Sequence, residues 1–135
     1  FGWATGYRGT LLTKDGGQTW SLVQDSPNGN GVVFLNSNEG LVAEGAGLKR
    51  TTDGGLNWEP AEPFAEGGAL RGASFVTPYE GWAVSESWSP ERARVVHTTD
   101  GGQTWQKQME TDGSLYAVRF VDPFAEGFSP STLGL

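Results

Sequence analysis

One octapeptide occurs three times in this chain. It reads T-K-D-G-G-Q-T-W at 13–20, T-T-D-G-G-L-N-W at 51–58 and T-T-D-G-G-Q-T-W at 98–105. The aspartates Asp15, Asp53 and Asp100 lie 38 and 47 residues apart. Near-identity at such regular spacing constrains the fold more than any other feature, because each copy marks the same corner of one supersecondary unit. Catalysis seldom needs three copies of one site.

Two further blocks recur in the same order. Upstream of the octapeptides stand G-W-A-T-G-Y-R-G-T-L-L at 2–12, G-L-V-A-E-G-A-G-L-K-R at 40–50 and G-W-A-V-S-E at 81–86. Before these come the apolar runs V-V-F-L at 32–35, A-S-F-V at 73–76 and A-V-R-F-V at 117–121, each followed by a turn and Glu-Gly. The segments are too short and too rich in Gly for helices, and their Val, Phe, Trp, Leu and Thr favour strands. The pattern predicts an all-β propeller, or part of one, built from four-stranded antiparallel blades. In the middle unit the strands are expected near 31–35, 40–44, 47–52 and 57–60.

The octapeptide then falls between the third and fourth strands as a hairpin turn. Its Asp carboxylate is suited to accept backbone N–H groups of the turn. The paired glycines permit positive φ. The Trp is expected to open the fourth strand and bury its ring near the blade edge.

The motif S/T-x-D-x-G-x-T-W is the Asp box of BNR-type propellers. Thr13, Asp15, Gly17, Thr19 and Trp20 match it, as do Thr98, Asp100, Gly102, Thr104 and Trp105. Thr51, Asp53, Gly55 and Trp58 form the middle copy, which departs only at Asn57. With the G-W-A-x-G-x-x-G-x-L block at 2–11, the chain resembles the photosystem II assembly and stability factor family and its bacterial relatives over nearly its whole length. The resemblance implies a propeller of about seven blades that is not an enzyme and acts as a binding and assembly factor outside the cytoplasm, periplasmic or secreted; no cofactor is expected.

The units divide as blade 1 at about 1–24, lacking its first strand, blade 2 at about 30–61, blade 3 at about 69–109 and the start of a fourth at about 115–135. A closed ring needs more, so a piece of a longer chain or assembly with other copies is expected. The Asp boxes should share one face with the first-to-second turns, leaving the second-to-third loops on the other. There blade 3 carries the longer loop S-E-S-W-S-P-E-R-A-R at 85–94. An aromatic beside arginines on a loop suits recognition, so Trp88, Arg92 and Arg94, with Tyr7 and Arg8 of blade 1, are the candidate binding residues. A hairpin whose Trp folds back on the blade is the plainer reading. Arg71 and Arg119, near the innermost strands, are candidates to face a central channel, against plain solvated strand charges.

Composition removes several function classes. The net charge of −7 opposes duplex nucleic-acid binding, which needs a basic face. There is no cysteine and a single histidine, His97, so thiolate and His-cluster metal chemistry are excluded. No apolar run reaches transmembrane length, and membrane insertion is not expected. Sialidases also carry Asp boxes, but need an arginine cluster and a Tyr–Glu nucleophile pair. The adjacent Tyr79 and Glu80 sit in a recurrent turn, and the F-R-I-P sequence that introduces the first sialidase arginine is absent. Paired carboxylates of a glycosidase are likewise not evident, since Asp25, Asp112 and Asp122 fall in turns. The sequence therefore points to a non-catalytic module that binds a protein or assembles. Part of a glycan-active propeller, hydrolase or lectin-like, is the alternative, with carbohydrate as its ligand.

Overall fold

The computed structural model describes residues 1–23, 26–27, 29–45, 47–61, 70–87 and 92–121. Among them the chain is all β, in three antiparallel sheets without a helix. The first sheet holds β1 (Gly2–Gly6), β2 (Gly9–Thr13) and β3 (Ser21–Leu22). The second holds β4 (Gly31–Phe34), β5 (Gly40–Glu44), β6 (Gly47–Thr51) and β7 (Glu59–Ala61). The third holds β8 (Leu70–Phe75), β9 (Gly81–Ser85), β10 (Ala93–Thr98) and β11 (Gln106–Thr111). In each sheet the strands lie side by side in chain order, the up-and-down meander of a propeller blade.

The fourth strands begin later than the sequence indicates. Trp20, Trp58 and Trp105 each precede the ladder instead of opening it, and the Trp20 and Trp58 indoles bond their own turns.

The blades pack face to face. Ala43 and Leu48 of the second sheet meet Leu70, Ala83 and Val96 of the third, all buried, with Ala61, Ala73 and Trp105 against them. Burying a Leu or Val side chain contributes about 1.5–3 kcal/mol, so this cluster is the main weld between the two blades. Toward the inner strands, glycine sets the spacing. A Cβ on Gly31 would stand 2.6 Å from the Arg71 carbonyl oxygen, and one on Gly72 would stand 3.1 Å from Ala117 Cα. Both glycines hold the same register position in their first strands, and only a missing side chain lets neighbouring blades converge there.

Residues 115–121 were expected to form the first strand of a further blade. They carry no ladder with another described strand. They nevertheless lie along blade 3 in the place of an inner strand: Leu115 N donates to Ser85 O at 3.1 Å and Phe120 N to Ser74 Oγ at 3.0 Å. Phe120 stacks on Trp82 at 3.9 Å between ring centroids, as Phe34 stacks on Trp3 at 3.5 Å. Strand pairing needs a neighbour on the far side, and no described residue supplies one.

Candidate functional site

The Asp boxes are built alike. Thr13 Oγ1 donates to Asp15 Oδ1 at 2.8 Å and accepts Gly17 N at 2.9 Å. Asp15 Oδ1 also accepts Thr19 N at 2.9 Å, and Oδ2 accepts Thr19 Oγ1 at 2.6 Å. Thr98, Asp100, Gly102 and Thr104 repeat these bonds. In the middle box Asn57 Nδ2 donates to Asp53 Oδ2 at 2.7 Å, taking over the part of the Thr hydroxyl. Both glycines of every box have positive φ, between 71° and 91°, which the tight reversal requires.

These carboxylates serve the turn. Hydrogen bonds from the Thr19, Asn57 and Thr104 side chains, and then from their backbone N–H groups, hold the three aspartates at about 2, below the ordinary 3.8. Glu110 is lowered as well, by Lys107 first and then by Arg94. A general acid needs the opposite displacement.

The boxes also join the blades. Gly54 N donates to Asn38 O and Gly101 N to Tyr79 O, each at 2.8 Å, so box and first-to-second turn share one face. From the preceding blade, Trp3 Nε1 donates to Gly54 O at 3.0 Å and Arg50 Nη2 to Gly101 O at 2.6 Å. Trp20 and Trp58 donate Nε1 to Gly17 O and Gly55 O. Trp105 departs from its counterparts: its Nε1 is buried and has no hydrogen-bond partner.

The opposite face carries the second-to-third loops. Tyr7 and Arg8 form the tip of the β1–β2 hairpin, closed by the pairing of Gly6 with Gly9. Tyr7 is 93% exposed, and Arg8 is exposed and makes no ion pair with a described residue. Arg92 is half exposed and bonds Asp112 at 3.0 Å. Arg94 is not on the loop. It lies in β10, only 12% exposed, and bonds Glu110 at 3.1 Å. Buried Ala93 resumes the ladder opposite Thr111, which draws Arg94 into the sheet. Trp88 lies outside the described residues, as do Pro90 and Glu91. No contact joins the Tyr7–Arg8 tip to Arg92 among the described residues.

Arg71 is held by Glu86, with Nε at 2.6 Å from Oε2, so its charge is taken up within blade 3. Arg119 is exposed. Tyr79 is 69% exposed, whereas Glu80 Oε1 lies 3.1 Å from His97 Nε2, and the two do not form a nucleophile pair. No group of three or more metal-ligating side chains occurs among the described residues. Trp3, Arg50 and Glu86 were not singled out by sequence; only their partners in space give them meaning. Tyr7 and Arg8, both exposed and without an ion pair among the described residues, and separately the half-exposed Arg92, are the parts of the predicted site that a partner can reach.

The BNR/Asp-box repeat model matches residues 11–22 and 96–107, the first and third boxes. Among curated proteins nothing matches the chain. Nine solved chains do. One of them, described as YCF48 bound to D1 peptide, is 28% identical with a TM-score of 0.55, over 69% of this chain and 31% of that one. The chain thus spans about a third of the length of this solved relative. The likeness agrees with the resemblance drawn from the boxes: the chain is all β, its sheets are propeller-like blades, and two of its boxes match the BNR/Asp-box repeat.

Proposed function

We propose that this chain is a non-catalytic Asp-box propeller module that binds a protein partner, and that it works outside the cytoplasm. The observation that carries the reading is its similarity to YCF48, whose solved structure holds a D1 peptide. The boxes support it from the other side. Their carboxylates are occupied by their own turns, which move them away from the range of a general acid, as Lys107 and Arg94 move Glu110.

Recognition falls to the loop face. Tyr7 offers a nearly free ring and Arg8 a cation with no ion pair to a described residue, the residue types that dominate protein contacts. Arg92 adds a charge held only by an exposed Asp112. The partner is another polypeptide or a second copy of the chain. The extracytoplasmic placement rests on the family resemblance.

The test is capture of the partner by the immobilised chain, followed by identification of the captured protein by mass spectrometry. The expected result is that Tyr7→Ala combined with Arg8→Glu abolishes capture while the melting midpoint stays within about 2 °C, as for an exposed surface change. Undiminished capture by that double variant would refute the loop-face assignment.

A further inference from the structure

The three outer strands are not equally protected. A sheet edge offers unpaired N–H and C=O groups, and proteins block it with charges, prolines or short strands. Blade 2 ends in β7, with Pro60 and Glu59. Blade 3 ends in β11, where Lys107 and Glu110 form an ion pair across the outside. Blade 1 ends in β3, only Ser21 and Leu22, with neither charge nor proline. Among the described residues its shortness is its one defence.

The register shows which groups are free. Leu11 pairs with Leu22 and Leu12 with Ser21, and Val23 N donates to Thr10 O at 2.9 Å. In an antiparallel ladder this makes Leu11–Leu22 a non-hydrogen-bonded pair, so the N–H and C=O of Leu22 point outward. Beside this edge runs a groove of about 500 Å³ between blades 1 and 2, lined by Leu12, Ser21, Val23, Lys14, Thr19 and Leu56. Leu56 is 59% exposed, and its counterparts in the other boxes are Gln18 and Gln103. Lys14 at the rim makes no ion pair with a described residue, in a chain of net charge −7. Both walls of the groove belong to blades inside the chain.

We propose that the β3 edge and this groove form a docking site for an extended segment of a partner protein. The segment pairs its backbone with Leu22, sets an aliphatic side chain against Leu12, Val23 and Leu56, and brings a carboxylate to Lys14. Strand addition of this kind draws affinity from main-chain bonds and specificity from alternate side chains. An edge with neither charge nor proline in its described strand calls for an extended backbone, the leucine wall for an aliphatic residue, and Lys14, without an ion pair to a described residue, for an acid. The site rests on the protein-binding reading but lies apart from the loop face.

The test is a backbone-amide NMR titration of the whole chain with an acetylated, amidated pentapeptide of sequence threonine-leucine-aspartate-valine-threonine. Shifts clustered at Lys14, Ser21–Val23 and Leu56 are expected. Leu22→Pro removes the outward N–H without touching the ladder and should weaken binding about tenfold, as expected for losing edge hydrogen bonds. Leu56→Ser, an exposed change that tests the groove without the backbone, should weaken it several-fold. A peptide with lysine in place of aspartate should bind more weakly. Shifts confined to Tyr7, Arg8 and Arg92 would overturn the edge site and leave the protein-binding reading standing. No shifts at millimolar peptide, or edge shifts that appear on concentrating the chain alone, would overturn the proposed occupant.

Discussion

Replacing the first threonine of each Asp box with valine should cost unequal amounts, although the three boxes make the same bonds. Thr98 and Thr51 are buried, and the amides that their hydroxyls accept, Gly102 N and Gly55 N, are buried too. Valine keeps the volume but removes the hydroxyl. Thr98→Val therefore strands a buried N–H, at about 1–3 kcal/mol, and takes a donor from the Asp100 carboxylate, at a similar cost. Partial access of water to Asp100 offsets some of this, so about 3 kcal/mol is expected, with Thr51→Val close to it. Thr13 is equally buried, but Gly17 is exposed and water can satisfy its N–H. Thr13→Val should cost about 1 kcal/mol, the size of a lost cap. The assay is reversible urea unfolding of the three variants, with thermal midpoints as a second reading. If Thr13→Val costs as much as Thr98→Val, or Thr98→Val costs less than about 0.5 kcal/mol, the hydroxyl-to-amide bond is not what holds the box.

Leu48→Ala, at the weld between blades 2 and 3, should lose about 3 kcal/mol in the same assay, since it empties a buried site. The box aspartates bind protons more weakly in the folded chain, at about 2, than in the unfolded chain, near 3.8. The unfolded state therefore takes up more protons as pH falls. Their stabilisation is complete above about pH 4 and is lost toward pH 2, so Asp100→Asn should flatten the fall in midpoint over that range. Arg92→Ala should change stability by less than about 0.5 kcal/mol, because both it and Asp112 are largely exposed.

The fold was legible because the repeat carries it. Each box fixes a corner between strands, and the blocks before it fix the order of the others. The interior of the box was legible as well, since all its bonds are local. Asn57 is the exception that explains itself, because its amide reaches the same Asp53 oxygen that a Thr hydroxyl would. What joins the blades was not legible. Trp3 and Arg50 each reach a glycine carbonyl 51 residues further on, and no local pattern announces such a contact. Arg94 was misplaced for a related reason: the length of a loop does not tell where the ladder resumes, and that is decided by the burial of Ala93. The segment 115–121 has the composition of a strand, but a ladder depends on a neighbour as much as on propensity.

Amide hydrogen exchange, resolved residue by residue, tests most directly whether the boxes are architecture and not ligand loops. Gly55 and Gly102, bonded to buried threonine hydroxyls, and Gly54 and Gly101, bonded to the neighbouring turn, should exchange as slowly as the central strands β5 and β9. Exchange at the rate of the exposed Tyr7–Arg8 hairpin tip would mark the boxes as mobile loops and contradict the structural role assigned to them.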